Sequence, residues 1–223
     1  MKWIQQFDLF LFDFDGLLVN TEELHYAAYQ EMCRRRGYSL QWTLSQFFEA
    51  AHFKATGLKE AIYRQFPALL EQESQWEVLY AEKKQYYQEL LEKGDLSLLE
   101  GVEELLRALE QAGKRRCVVT NSAKIQVDLI KEKLPILKTI PIWITRENYH
   151  QPKPHPDGYL TAIQQLGKPE DKVIGFEDST RGLQSLRDAG VPVALLICPP
   201  DHPQMKNFEG RYFPSFSSII DLH

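Results

Sequence analysis

The sequence has few cysteines and no long apolar run. Its 223 residues include three cysteines, Cys33, Cys117 and Cys198, an odd number without C-x-x-C spacing. That usage argues against a disulfide framework and against a zinc site. The apolar run near the N-terminus is short and contains Asp8, which argues against a signal peptide or a membrane span. We therefore expect a cytoplasmic protein with reduced cysteines.

The sequence also lacks a surplus of basic residues. Lys and Arg number 26 against 31 Asp and Glu, which gives a formal net charge of −5. This balance provides no electrostatic attraction to nucleic acid or to an anionic membrane, so we expect neither as a partner. With 43% hydrophobic residues, the chain can bury a sizeable core as one large domain or two small ones. These features leave the oligomeric state open.

Strand and helix patterns alternate along most of the chain. Short apolar runs that end in turn residues indicate buried strands, and apolar spacing of three or four residues indicates helices. The pattern predicts strands at 7–12, 116–119, 142–145, 172–176 and 193–197, and helices at 102–111, 123–133, 157–166 and 180–189. Such alternation predicts an α/β fold, a doubly wound, Rossmann-like parallel sheet with helices on both faces.

The stretch after the first strand differs from the rest. From Glu22 to Lys93 the apolar residues recur at helical spacing, with breaks at Gly37, Gly57 and Pro67, which predicts about four helices. We therefore expect a catalytic core formed by residues 1–16 and 96–223, with residues 17–95 inserted as a helical cap domain. Two short linkers between cap and core would permit hinge motion.

Carboxylates follow two of the predicted strands. Asp13 and Asp15 end the first, and Glu177 and Asp178 end the strand at 172–176. Ligands of open parallel sheets bind at the carboxyl ends of the strands, so these side chains are expected to meet. Four carboxylates repel one another unless a cation lies among them, and hard oxygen ligands suit Mg²⁺.

The remaining polar residues at this sheet edge suit a phosphoryl group. Thr120 and Asn121, at the start of a helix, and the ammonium of Lys153 are candidates to hold phosphoryl oxygens. Strand geometry sends Asp13 and Asp15 to the same side of the chain. Asp13 is therefore the candidate nucleophile that forms an aspartyl phosphate, and Asp15 the candidate acid and base.

Four motifs in this order resemble those of a known family. They are D-x-D-G (13–16), a strand ending in T-N-S (120–122), K-P-x-P-D (153–157) and G-F-E-D-S (175–179). Together they resemble the haloacid dehalogenase superfamily, in its subgroup with an α-helical cap that includes phosphoglycolate-phosphatase-like and β-phosphoglucomutase-like enzymes. The resemblance covers nearly the whole chain, and the motifs are specific as a set.

The resemblance implies a magnesium-dependent phosphotransferase. It implies that Asp13 is nucleophile and metal ligand, that Asp15 is the acid and base and a ligand through its backbone carbonyl, and that Asp178 is the acidic metal ligand. Glu177 would be a ligand or would position one. Thr120 and Lys153 would bind the phosphate.

Two positions in the predicted cap are candidate substrate contacts. His25 matches a position where β-phosphoglucomutase also has histidine, and Lys54 falls where cap residues contact the substrate in this subgroup. A structural histidine and an exposed lysine are the alternatives. Two departures from the family pattern are Asn20, where an acidic residue is common, and the Gln-Pro pair before Lys153.

The motifs predict hydrolysis of a small phosphate monoester, such as a sugar phosphate. A sugar phosphomutase is the alternative, because its core chemistry is shared and only the receiver of the phosphoryl group differs. The cap offers few basic residues for sugar contacts, which favours the phosphatase. A receiver-type phospho-acceptor is the third reading. The second aspartate and the helical insertion favour turnover over signalling.

Overall fold

A parallel six-stranded sheet forms the centre of the protein. The computed structural model describes residues 1–52, 54 and 56–222. The strands are β1 (Leu9–Phe12), β2 (Arg115–Val119), β3 (Ile142–Ile144), β4 (Val173–Glu177), β5 (Val193–Ile197) and β6 (Tyr212–Phe213). They lie in the order β3-β2-β1-β4-β5-β6, and every pairing is parallel. The predicted α/β fold is confirmed.

Nine α-helices accompany the sheet in the described residues. Five follow β1: α1 (Glu22–Arg35), α2 (Leu44–His52), α3 (Gly57–Gln65), α4 (Pro67–Gln72) and α5 (Trp76–Lys93). The other four alternate with the strands: α6 (Val102–Gln111), α7 (Lys124–Lys133), α8 (Asp157–Leu166) and α9 (Thr180–Asp188). A 3₁₀ helix at Pro203–Asn207 lies between β5 and β6.

Strand β1 is buried on both faces because it lies in the middle of the sheet. Phe10 and Phe12 pack into one core cluster, and Leu9 and Leu11 pack into another. The ring of Phe12 stacks on that of Phe176 from β4, with centroids 5.3 Å apart. This alternation explains why β1 is apolar throughout, and it holds the end of β1 rigidly between β2 and β4.

The sequence prediction needs two corrections. Among the described residues between Glu22 and Lys93 there are five helices rather than about four, because Pro67 begins the short helix α4 instead of only breaking the pattern. Proline suits the first helical position, where its missing N–H has no intrahelical partner. The prediction also omitted β6, which has only two residues and lies at the edge of the sheet.

The two linkers between the helical segment (residues 22–93) and the sheet contact each other. Val19 forms an antiparallel bridge with Leu98. Asn20 accepts a hydrogen bond from the Ser97 backbone N–H at 2.7 Å, and its own N–H donates to the Ser97 carbonyl at 3.1 Å. Asn20, the departure noted in the sequence, therefore ties the two linkers together. The domain boundaries at 16/17 and 95/96 stay a prediction.

Among the described residues, none of the helices combines the length and the apolar character needed to cross a bilayer. The cytoplasmic location stays a prediction.

Candidate active site

The three central strands deliver the predicted site residues to one edge of the sheet. Phe12 of β1 is in register with Val118 of β2 and with Phe176 of β4. The residues that follow these strands are therefore neighbours. Asp13 and Asp15 follow β1, Thr120 follows β2, and Asp178 follows β4, which ends at Glu177.

Lys153 enters this edge from the loop before α8. Its Nζ lies 2.5 Å from Asp13 Oδ1 and 2.6 Å from Glu177 Oε1, and it also donates to the Val119 carbonyl at 2.8 Å. The residue is only 7% exposed. Burial acts to lower the pKa of Lys153, but Asp13 and Glu177 outweigh it and hold that pKa above its usual value. The lysine is therefore a buried cation between two carboxylates.

Three carboxylates gather around one point beside Lys153. Ligand oxygens of Asp13, Glu177 and Asp178 all lie within 4.8 Å of one another. Burial, with repulsion from Glu177, raises the pKa of Asp13 to about 8 despite Lys153. Burial and then Asp13 likewise raise the pKa of Asp178 well above its usual value. Because these carboxylates lie so close together, they are difficult to ionise at the same time. A divalent cation bound between them would stabilise the ionised forms, and carboxylate oxygens are ligands that Mg²⁺ prefers, so these residues fit Mg²⁺.

Two glycines provide the space for these carboxylates. Gly16 has φ +74, and a Cβ there would lie 2.5 Å from Asp178 Oδ2. A Cβ at Gly182, on α9, would lie 1.9 Å from Glu177 Oε2. The chain therefore uses glycine at both positions because the acidic side chains pack directly against its backbone.

Asp15 faces a different set of partners from Asp13. Its Oδ1 accepts a hydrogen bond from Thr21 at 2.8 Å, and its Oδ2 accepts from Ser122 at 2.6 Å and from Thr120 at 3.2 Å. Burial acts to raise the pKa of Asp15, but the nearby His25 and the hydrogen bonds from Ser122 and Thr21 hold it below its usual value. Asp15 is therefore ionised here, and the Thr120 hydroxyl is turned towards it.

His25 links Asp15 to a lysine that the sequence analysis did not single out. Its Nε2 lies 3.6 Å from Asp15 Oδ1, and its Nδ1 lies 2.6 Å from Lys83 Nζ. The His25 ring stacks on Tyr87 with centroids 4.0 Å apart. Burial first, and the charge of Lys83 second, lower the pKa of His25. Since a protonated lysine has no acceptor, Nδ1 accepts and Nε2 carries the proton that faces Asp15.

The other two predicted substrate contacts, Asn121 and Lys54, pair with groups of the protein. Asn121 Oδ1 accepts hydrogen bonds from the Tyr149 hydroxyl at 2.6 Å and from the Lys153 backbone N–H at 3.2 Å. Asn121 therefore holds the lysine loop. The side chain of Lys54 is 63% exposed and forms an ion pair with Glu60 at 2.5 Å. Its contact with a substrate stays a prediction.

Two connected cavities lie above the carboxylates. The inner one, about 260 Å³, is lined by Asp13, Asp15, Thr120, Lys153 and Asp178 among others. The outer one, about 620 Å³, shares His25, Lys83 and Arg181 with the inner one. Both cavities are bordered by the helical segment and by the sheet edge, so a ligand in them would contact both parts of the chain.

Two functional candidates, Lys83 and Arg181, escaped the sequence analysis, which noted Ser122 only as part of the T-N-S motif. Lys83 is buried with its Nζ over the rings of Tyr29 and Tyr87, although a lysine in a helix is usually exposed. Arg181, two residues after the fourth motif, donates to the backbone carbonyls of Ala51 and Lys153. Helical spacing alone could not show that the side chains of Lys83 and Arg181 point inward. The position of Arg181 beside a motif was the one available signal.

Comparison with known proteins places these observations in a family. A family model described as haloacid dehalogenase-like hydrolase matches residues 10–196. Protein CbbY of Rhodobacter capsulatus is 32% identical over 190 residues, which cover 83% of each chain. Hexitol phosphatase A of Escherichia coli is 28% identical over 206 residues, which cover 90% of this chain and 88% of the relative.

A solved structure agrees with the fold. The structure of a CbbY mutant from Rhodobacter sphaeroides in complex with xylulose-(1,5)bisphosphate has a TM-score of 0.74 at 22% identity, and the match covers 97% of both chains. With the matched family model, this chain belongs to the haloacid dehalogenase-like hydrolase family. The resemblance seen in the motifs is confirmed, and so is the predicted enzyme class, a phosphoric monoester hydrolase of this family.

Proposed function

We propose that the protein is a Mg²⁺-dependent phosphatase that hydrolyses a small sugar phosphate or related metabolite through an aspartyl phosphate on Asp13. The observation that carries this proposal is the convergence of one buried ammonium, Lys153, and three carboxylates within one small cavity. Such a site offers a nucleophile, a cation for the phosphoryl oxygens and ligands for a metal.

The chain's own residues would act in two half-reactions. In the first, an Asp13 oxygen attacks phosphorus, the bond from phosphorus to the substrate oxygen breaks, and that oxygen takes a proton from Asp15. In the second, water gives a proton to Asp15 and attacks the same phosphorus, which releases inorganic phosphate and restores Asp13. Lys153 would hold a phosphoryl oxygen throughout.

Asp15 suits the second half-reaction directly, because it is ionised in this structure. To act as the acid it must first take up a proton. His25 Nε2, 3.6 Å away, could pass one to Asp15 while His25 Nδ1 takes a proton from Lys83 Nζ at 2.6 Å, so that the ring stays neutral and Lys83 becomes an amine. A substrate in the inner cavity would also compete for the hydroxyl of Thr120, which now donates to Asp15. Loss of that hydrogen bond would make Asp15 easier to protonate.

Asp13, Glu177 and Asp178 would hold the metal. A bound Mg²⁺ would offset the negative charge of the site and of the phosphoryl group. Lys153 and the Tyr159 hydroxyl both donate to Glu177 Oε1, at 2.6 Å each, so this carboxylate is already fixed by the protein. Asp13 and Asp178 have fewer protein partners of this kind and are the more available ligands.

The charge of the side chains that line the outer cavity suits an anionic substrate. Seven of its lining side chains are basic and one, Glu77, is acidic. The basic ones are Lys54, Lys59, Lys83, Lys84, Arg146, Lys153 and Arg181. The first four lie in the predicted cap, so the expectation that the cap offers few basic residues was wrong, and it no longer favours a phosphatase over a phosphomutase. We propose that the helical segment acts as a cap domain over this cavity and that the cavity receives the part of the substrate beyond the reacting phosphate. A relative bound to a bisphosphate is consistent with a second anionic group there.

Phosphate release from a panel of sugar phosphates, with Mg²⁺ and then with excess EDTA, tests the proposal. We expect multiple turnovers that EDTA abolishes and that Asp13→Asn lacks. The same reactions analysed for isomerised sugar phosphate identify a phosphomutase. Stoichiometric labelling without turnover would instead indicate a phospho-acceptor, and either of these results would overturn the proposal.

A further inference from the structure

Gln204 lies far along the chain from the four motifs but contacts the segment that carries Asp178. It belongs to the 3₁₀ helix Pro203–Asn207 and is 3% exposed. Its Nε2 donates to the Asp178 carbonyl at 2.5 Å, and its Oε1 accepts from the Thr180 N–H at 2.9 Å. One buried amide thus holds both ends of the three-residue segment from Asp178 to Thr180.

These two contacts fix the backbone on either side of Ser179. Ser179 is the N-cap of α9, and its side chain accepts from the Gly182 N–H at 3.1 Å. Gln204 supplies the partner that the Thr180 N–H lacks at a helix start. With the carbonyl of Asp178 and the N–H of Thr180 both held, the backbone from which the Asp178 carboxylate projects is fixed.

The amide is itself held in place. Nε2 also lies 3.1 Å from Cys198 Sγ, at the end of β5, and the Gln204 backbone N–H donates to His202 Nδ1 at 3.4 Å. Both amide atoms of the side chain therefore have partners, and no water is needed to satisfy them. A side chain placed in this way acts as a rigid spacer between the end of β5 and the acidic loop.

We propose that Gln204 is a positioning residue for the metal site, one that holds the Asp178 carboxylate where it can bind Mg²⁺. This inference rests on the proposed function, because it assumes that Asp178 is a ligand. Residues that orient metal ligands contribute to metal affinity, and their loss costs about 10–100-fold in that affinity. Gln204 is not among the residues that line the two cavities, so it acts only through Asp178.

The test replaces the amide with an apolar side chain of the same length. Gln204→Met keeps most of the volume and removes both hydrogen bonds to the segment. Isothermal titration of the full chain with Mg²⁺ alone gives the dissociation constant without any substrate. We expect that constant to rise about tenfold or more. The rate with substrate should recover towards the wild-type kcat at saturating Mg²⁺, because only ligand placement is disturbed.

Gln30→Met is the matched control. Gln30 also donates a side-chain amide hydrogen bond to a backbone carbonyl, that of Leu40 at 3.1 Å, but it lies in the helical segment away from the metal site. Its Mg²⁺ dissociation constant should stay near the wild-type value. If Gln204→Met does not fold, Gln204→Asn keeps the amide but withdraws it from one of its two backbone partners, and the constant should rise there as well.

The outcomes separate this inference from the proposed function. Wild-type protein that binds no Mg²⁺ would overturn the proposed function itself. Wild-type binding with an equal constant in a folded Gln204 variant would overturn only the positioning role. A kcat that stays low at saturating Mg²⁺ would also count against it, since general damage to the site would then explain the loss.

Discussion

The buried ammonium of Lys153 gives the sharpest stability prediction. Replacing it by methionine in Lys153→Met leaves Asp13 and Glu177 without the cation that lies 2.5 Å and 2.6 Å from them. Removing one partner of a buried ion pair costs about 3–5 kcal/mol, because a charge remains buried and unpaired. The pKa of Asp13 is already raised to about 8, so it takes up a proton readily, which favours the lower end of that range.

An exposed ion pair provides the comparison. Lys124 pairs with Asp128 on α7, and the side chain of Lys124 is 71% exposed. Such pairs contribute about 0–1 kcal/mol, so Lys124→Met should change stability little. For a chain of this size, a loss of about 3 kcal/mol lowers Tm by about 6–12 °C. Urea and thermal unfolding in metal-free buffer measure both variants.

A double variant tests the cause of the effect. In Lys153→Met combined with Glu177→Gln, one of the unpaired charges is also removed. The double variant should therefore lose less stability than the sum of the two single variants, with a coupling of about 0.5–3 kcal/mol. If Lys153→Met unfolds no more easily than Lys124→Met, the ammonium does not compensate the buried carboxylates and this account of the site is wrong.

Three further predictions concern catalysis and packing. Burial lowers the pKa of Lys83 to about 7, so its positive charge is lost as pH rises through that value. The kcat/KM for an anionic substrate should then fall with rising pH, and the profile of Lys83→Met should lack this break. Gly182→Ala gains about 1 kcal/mol of helix propensity. It also places a Cβ 1.9 Å from Glu177 Oε2, an overpacking that costs about 1–3 kcal/mol. We expect lower stability and lower kcat, and a more stable variant with wild-type kcat would contradict the packing argument. Lys54→Ala should change kcat/KM by no more than about twofold, because an exposed pair with Glu60 contributes little. A larger loss would show that Lys54 reaches the substrate.

The sequence predicted the centre of the site because the residues that form it directly follow strands that can be recognised from the local pattern of apolar residues. Residues at the ends of adjacent parallel strands must be neighbours, so Asp13, Thr120 and Glu177 could be placed together before any coordinates. The alternation of strand and helix patterns likewise predicted the parallel sheet and the helices between its strands. The Gln-Pro pair before Lys153 caused no displacement, since Nζ still lies 2.5 Å from Asp13 Oδ1.

What the sequence could not predict depends on side-chain direction and on contacts between distant segments. Lys83 lies on a helix with two other lysines, and only its contacts with Tyr87 and His25 show that it points inward. Asp15 was predicted as an acid, but hydrogen bonds from Thr21, six residues along the chain, and from Ser122, just after β2, keep it ionised. The sequence places both residues near the acid pair, but it does not show that their hydroxyls donate to Asp15.

Trapping the phosphorylated enzyme tests the central claim most directly. Wild-type protein is mixed with Mg²⁺ and a sugar phosphate that it turns over, quenched in acid within the first turnover, and digested for mass spectrometry. The account predicts one phosphoryl group on Asp13, absent from Asp13→Asn, which should also lack turnover. Turnover without a phosphorylated Asp13, or sustained turnover by Asp13→Asn, would contradict it.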